Sequence, residues 1–260
     1  MLQLLLLIGA LLACLASTAV ALRWRAERQR LRQRLEVASG ELQRLQTTFS
    51  RFAPSAVVDR IAARGRPTDA ERRDVTVLFA DLVAFTALSE RLNPELLVAV
   101  LNDYFGRMSR VIEEHRGHVA KFIGDGMMAL FGALEPNPWQ ANDAVSAALA
   151  MQRALTAYNT ELAARELPPL RAGVGIHSGP AIAGIIGSHA LLEFTVIGHT
   201  VNLAARVEHL TRVHQADVLI TAAVRAGLDP RFVVEELPAS AVRGVAAPVV
   251  TYAVRGVRDR

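Results

Sequence analysis

The sequence predicts an α/β domain of the α+β kind, and three observations predict it. Four apolar runs of strand length stand at Asp74–Ala80, Val119–Ile123, Met127–Phe131 and Ala172–His177. Two longer stretches with helix signals separate the first run from the second and the third from the fourth. Asp125-Gly126, with apolar runs on both sides, is a hairpin signal. The order strand–helix–strand–strand–helix–strand is that of the ferredoxin-like split βαβ core. In that topology the first two strands run parallel, with the third antiparallel between them. The end of the first strand and the turn of the hairpin then share one end of the sheet.

The chain has 260 residues, 52% of them hydrophobic, and a formal net charge of +4. Such a length suits one ordinary domain with additional segments. Residues 1–22 are predicted as a transmembrane anchor, because Leu2 to Leu22 is apolar apart from Gln3, Ser17 and Thr18. Arg23, Arg25, Arg28, Arg30, Arg32 and Arg34 follow, which places the downstream chain in the cytoplasm, and Trp24 suits the interface. The expectation is a single-pass protein of the inner cell membrane. A cleaved signal peptide competes through Ala19-Val20-Ala21, but no basic residue precedes the apolar run.

Residues 23–53 are predicted as a coiled-coil helix. Leu31, Leu35, Ala38, Leu42, Leu45, Phe49 and Phe52 alternate in steps of four and three, a seam suited to a two-stranded coiled coil. Pro54 ends or kinks that helix, and 54–73 is read as a linker around Arg64-Gly-Arg-Pro-Thr68. A compact α/β domain is placed at 74–256. The single cysteine, Cys14, excludes an intrachain disulfide and a Cys-based zinc site. The arginines beyond the N-terminus are scattered among acids without an aromatic-interleaved basic patch, so no nucleic-acid partner is expected.

Within the domain, Asn93-Pro94 reads as a helix start and Gly117 as its close. A second helix runs from near Pro138 to about Arg165. Ile182–Ile186 and Phe194–Ile197 read as further strands, followed by a helix from about Thr200 to Val213. Short strands are expected near Val218–Ile220, Phe232–Val234 and Val249–Val254.

Asp81 ends the first strand and Asp125 sits in the hairpin turn, so the topology makes the two carboxylates neighbours. Aspartate is favoured in turns on its own account, yet two carboxylates on rigid strand ends are what a divalent-metal site for phosphate chemistry requires. Lys121, four residues before Asp125, is the sole lysine of the chain. A point donor retained where every other basic side chain is the planar arginine fork marks a site. Asn202 and Arg206, four apart, share one helix face.

These stretches resemble the class III nucleotidyl cyclase catalytic domain, the family of adenylate and guanylate cyclases. The segments that carry the resemblance are Val77-Leu-Phe-Ala-Asp-Leu-Val-Ala-Phe-Thr86, Lys121-Phe-Ile-Gly-Asp-Gly-Met-Met-Ala-Leu-Phe-Gly132, Gly175-Ile-His-Ser-Gly179 and Glu193-Phe-Thr-Val-Ile-Gly-His-Thr-Val-Asn-Leu-Ala-Ala-Arg206. The resemblance implies that Asp81 and Asp125 bind two Mg²⁺ or Mn²⁺ ions, with Leu82 in the metal set. It implies that Lys121 and Thr195 read the adenine, that Phe85 and Thr86 lie against the substrate, that Asn202 orients the ribose and that Arg206 stabilises the transition state. Threonine at 195 is similar to the bicarbonate-responsive adenylate cyclases, which implies bicarbonate as a further partner.

The resemblance further implies ATP as substrate and a head-to-tail homodimer in which the first and last segments meet across the interface. Ala84 departs from the family's usual glycine, and His199 from an acidic residue. Arg243 is the candidate for a terminal-phosphate contact. A guanylate cyclase is opposed by Lys121. A non-catalytic cyclase-homology domain is opposed by the complete residue set, and a diguanylate cyclase by Gly124-Asp-Gly in the hairpin. A membrane-anchored coiled-coil scaffold would account for residues 1–52 alone.

Overall fold

The computed structural model describes residues 70–187, 192–244 and 247–258, with Trp24 and helical residues 28–29, 32–37 and 39–41 nearer the N-terminus. The chain divides into two compact units, Met1–Val58 and Asp59–Arg260. In the first unit the described residues are helical and exposed, Leu35 of the expected seam included. The apolar run at 1–22, the other seam positions and the greater part of the linker lie outside the described residues. Among the described residues no helix is long and apolar enough to cross a membrane.

The second unit is one sheet with helices on both faces. Its strands are β1 (Glu71–Leu82), β2 (His118–Ile123), β3 (Gly126–Phe131), β4 (Ala172–Gly187), β5 (Leu192–Ile197), β6 (Val218–Thr221), β7 (Phe232–Glu236) and β8 (Thr251–Val257). Its helices are α1 (Phe85–Ser89), α2 (Pro94–Glu114), α3 (Gln140–Ala164), α4 (His199–His214) and α5 (Ala222–Ala226). The strand order is β2-β3-β1-β4-β6-β8-β7, with β5 paired to β4. β3 lies antiparallel between β1 and β2, and β4 is antiparallel to β1. The split βαβ core therefore stands as expected, inside an eight-stranded sheet. β1 begins at Glu71, so the last residues assigned to the linker belong to the sheet.

Alternation along β1 separates two cores, because successive side chains point to opposite faces. Leu78, Ala80 and Leu82 pack with Val100, Tyr104, Met108 and Ile112 of α2 and with the buried face of α3. Val75 and Val77 face the other way, onto Val196 of β5 and Ala204 of α4. Asp81 follows the parity of Val75 and Val77, so it belongs to the α4 face. Burying each large apolar side chain in these cores contributes about 1.5–3 kcal/mol.

Local signals hold where the chemistry is backbone-determined. The Asn93 side chain accepts from Leu96 N–H at 2.8 Å, with Pro94 at the first helical position. At the far end of α2 the left-handed residue is Arg116, φ 60°, while the Gly117 amide bonds to Ile112 O at 2.9 Å. Gly117 is thus not the residue that needs positive φ; a side chain there would strike Phe131 and Ile112.

Two expectations change. The hairpin turn is Gly124-Asp125, not Asp125-Gly126: Ile123 pairs with Gly126, and Gly124 takes φ 62°. Positive φ at the first central residue alone is the glycine-first hairpin pattern. The runs Ala172–His177 and Ile182–Ile186 are one strand of 16 residues, continuous through Pro180. Pro180 lies between the stretch of β4 paired to β6 and the stretch paired to β5, where β1 is the only neighbouring strand. A missing N–H costs no ladder bond on the open side.

Candidate active site

The register of β1 and β3 pairs Ala80 with Met127, which sets Asp81 opposite Gly126 and beside the turn that carries Asp125. A Cβ on Gly126 would lie 2.8 Å from Asp81 Oδ1, so the carboxylate rests against the hairpin itself. Burial pushes the Asp125 carboxyl above its usual value; its own amide and Arg212 oppose this, while Asp81 adds to it. Two carboxylates held this close favour a cation between them.

A cation is already present. Arg212, near the end of α4, donates through Nη2 to Asp81 Oδ2 at 2.5 Å and points the same nitrogen at Leu82 O, 3.5 Å away. Its Nη1 donates to Glu208 Oε1 at 3.1 Å. Glu208 is buried and its carboxyl is pushed up by desolvation, with Arg212 and then His209 drawing it back. Tyr104 stands behind the cluster, fully buried, its phenol raised by burial and then by Asp81, Asp125 and Glu208. Asp81, Asp125 and the Leu82 carbonyl are hard oxygen donors, and a positively charged group already sits between Asp81 Oδ2 and that carbonyl. This donor set fits Mg²⁺ or Mn²⁺.

Arg212 reaches Asp81 because α4 lies unusually close to β4. Gly173 and Gly175 face the helix, and Cβ atoms there would lie 2.2 Å from Thr211 Oγ1 and 2.1 Å from the Glu208 backbone nitrogen. Gly173 is also the register partner of Asp81. With no side chain beside Asp81 on β4, the space goes to the guanidinium from above.

The second cluster lies on the same face. Lys121 pairs in register with Met128, whose side chain belongs to the α4-side core. Lys121 Nζ forms an ion pair with Glu193 at 2.8 Å. Thr195 is two residues further along β5, hence on the same side of that strand as Glu193, and is buried. The fold therefore brings Lys121 into the neighbourhood of Thr195 through Glu193.

Asn202 and Arg206 occupy the other half of α4. Asn202 is exposed; the Arg206 guanidinium lies over Gly244, where a Cβ would be 3.2 Å from Nη2. Among the described residues no hydrogen bond or ion pair ties either side chain. They precede Arg212 by ten and six residues, about 15 and 9 Å along a helix that rises ~1.5 Å per residue. Neither is one of the described residues that meet Asp81 in hydrogen bonds or ion pairs. Arg243 is exposed beside Gly244. Phe85 and Thr86 open α1 directly after Ala84, which adopts φ 59°, ψ 31° despite its methyl group. His199 is the first residue of α4, behind Gly198.

Sequence reasoning passed over Arg212, Glu208 and Glu193. Glu208 and Arg212 carried a usable signal, the i,i+4 acid–base spacing. Nothing local signalled that Arg212 would meet a residue 131 positions away.

The family model for the adenylate and guanylate cyclase catalytic domain matches residues 68–256. The chain is 34% identical to an adenylate cyclase of Anabaena cylindrica over 198 residues, 73% of this chain and 38% of that protein. It is 33% identical to adenylate cyclase 1 of Rhizobium meliloti over 212 residues, 81% of this chain and 32% of the relative. The chain thus spans about a third of the length of these curated relatives. Among solved structures, the adenylyl cyclase CyaB from P. aeruginosa superposes with a TM-score of 0.69 at 30% identity, covering 73% of this chain and 97% of that one. The guanylyl cyclase Cya2 gives a TM-score of 0.69 at 37% identity, covering 73% and 95%.

Proposed function

This chain belongs to the adenylate and guanylate cyclase catalytic-domain family, and we propose that it converts ATP to 3′,5′-cyclic AMP and pyrophosphate. One observation carries the reading. Asp81, near the end of β1, converges at one sheet end with Asp125, in the turn of the hairpin that also bears Lys121.

In the reaction the ribose 3′ oxygen bonds to the α-phosphorus, the bond to the bridging oxygen breaks, and the 3′ proton leaves to solvent. Asp81, Asp125 and the Leu82 carbonyl would hold two Mg²⁺ or Mn²⁺ ions, which would supply acidity to the attacking hydroxyl and neutralisation to the leaving group. Phe85 and Thr86 would lie against the polyphosphate. Lys121 donates to a purine acceptor, and the Thr195 hydroxyl accepts from the adenine amino group. Asn202 orients the ribose. Arg206 acts on the charge that develops at the α-phosphoryl oxygens.

The proposal includes a homodimer, because one chain leaves Asn202 and Arg206 about 15 and 9 Å along α4 from Arg212, the residue that meets Asp81. Ile182, Ile186 and Ile197 on the β4–β5 arm are 40–48% exposed, an apolar surface that supports docking of a second copy. The heptad at 23–53 supports a parallel coiled coil ahead of the catalytic domains. The apolar run 1–22 with its flanking arginines supports a single-pass anchor in the inner cell membrane, with the domain in the cytoplasm. Thr195 supports bicarbonate as an activator; titrating bicarbonate against chloride at fixed pH tests that element alone.

GTP is the second reading, favoured by the 37% identity to a guanylyl cyclase. Purified protein assayed on ATP and GTP with Mg²⁺ and with Mn²⁺ separates the two. Lys121→Glu with Thr195→Cys is expected to shift the ATP-to-GTP preference toward GTP. Correctly placed polar contacts can carry on the order of 10⁴-fold discrimination, and an unchanged ratio removes both residues from the purine pocket.

A further inference from the structure

Arg212 forms ion pairs with two acidic groups whose situations differ. Glu208 is buried, with its side chain 3% exposed, and lies one helical turn before Arg212 on the same helix. Asp81 is on another element, is 29% exposed, and belongs to the candidate metal set. The guanidinium nitrogen that bonds Asp81 Oδ2 also faces the Leu82 carbonyl, and so stands where a divalent ion on those oxygens would stand. A guanidinium and a divalent cation a few ångströms apart repel strongly in a partly desolvated site. Both cannot occupy that position between Asp81 Oδ2 and the Leu82 carbonyl at once.

Glu208 limits what Arg212 can do when it lets go. A buried carboxylate stripped of its cation is costly, so the Nη1 bond to Glu208 persists. His209 Nδ1, 2.8 Å from the other Glu208 oxygen, fixes the carboxylate's orientation. Arg212 therefore pivots on Glu208 with its Nη2 donors released toward the open side, where its side chain is already 35% exposed. The planar fork is the side chain best matched to phosphate oxygens. No side chain from β4 competes for this position, since Gly173 is the register partner of Asp81.

We propose that Arg212 is a phosphate-binding residue held in reserve: it bridges Asp81 and Glu208 in the cation-free chain, and with a divalent ion on Asp81 it turns its Nη2 to the substrate's triphosphate while Glu208 keeps hold of Nη1. The proposal rests on the metal-site reading above and deepens it. It makes loading of the metal and capture of the polyphosphate one coupled event. The guanidinium competes with the first ion and then assists its nucleotide.

The test uses the full chain and two probes, Mn²⁺ alone and inorganic triphosphate with saturating Mn²⁺. Free Mn²⁺ is followed by electron paramagnetic resonance and triphosphate binding by calorimetry. Arg212→Met should bind Mn²⁺ alone at least ~tenfold more tightly and triphosphate at least ~tenfold more weakly, the size of a lost charge-assisted bond. Arg212→Lys keeps a cation against Glu208 if the methionine variant does not fold, and should move both affinities in the same directions by less. Opposite-sign changes separate this role from a merely structural one, which would weaken both. Unchanged Mn²⁺ affinity or unchanged triphosphate affinity in the folded variants overturns the proposal. Asp81→Asn serves as the separate check: if it still binds Mn²⁺ like the parent, the metal-site reading itself has failed.

Discussion

The two halves of α4 differ in how much the chain does for its functional residues. At the C-terminal half, Arg212 and Glu208 are tied to each other and to Asp81, over glycines that leave no gap between helix and sheet. At the N-terminal half, Asn202 is exposed, and Arg206 rests on Gly244 with no polar partner among the described residues. One end is preorganised by its own fold; the other presents groups outward. The difference supports the proposal that the chain carries complementary halves of a site, to be completed by a second copy.

The largest effect is expected from complementation. Asp81→Ala and Arg206→Ala chains, each alone, should lose on the order of 10²–10³-fold in activity or more, the cost of removing a group aimed at the transition state. Coexpressed, they form mixed dimers in which one site collects both lesions and the other none. Random pairing then restores roughly a quarter of parental activity by twofold site counting. Mixed dimers recovered by pull-down with no regained activity would show that each chain works alone.

A packing change should separate the halves less completely. Gly175→Ala places a methyl 2.1 Å from the Glu208 nitrogen, against backbone that cannot step aside. Overpacking of this kind costs about 1–3 kcal/mol, and it should lift the helix from Asp81, so activity falls even in the folded fraction. Denaturant unfolding with activity measured on the same samples checks it; full activity in a folded variant would mean the close approach is dispensable.

Two histidines on the sheet test the domain's response to acid. Burial lowers both His118 and His177 to about 4, with His199 adding to the effect on His177. The unfolded chain binds the protons at about 6.5. Between those values the unfolded state holds more protons, so stability is full above pH ~6.5 and declines as pH falls toward 4. His118→Gln should flatten that decline in thermal unfolding across the window; an identical slope would deny that the buried imidazole contributes.

The smallest effect is expected at the loop before α1. Ala84 holds φ 59°, a conformation in which the methyl group is strained. Ala84→Gly should stabilise the domain by about 0.5–1 kcal/mol, read as a higher denaturant midpoint. A lower midpoint would mean that the methyl packs better than its backbone strain suggests.

Features that depend on neighbours along the chain were legible in the sequence. Asn93-Pro94 capped a helix, alternation marked the strands, and the strand–helix order alone predicted that Asp81 and Asp125 would meet. Those features arise from backbone geometry and short-range periodicity, which a linear pattern records. The tertiary structure decided what depends on distance of approach. Gly173 and Gly175 carry no hydrophobic signal, yet they bring α4 down onto β4 and so deliver Arg212 to Asp81. Glu193 met Lys121 only because β5 folds over the sheet face, and Gly124 took the turn from Gly126 because the register of β2 and β3 required it. Ion pairs between remote segments, and glycines chosen for absence of bulk, are set by the packed fold and leave no period in the chain.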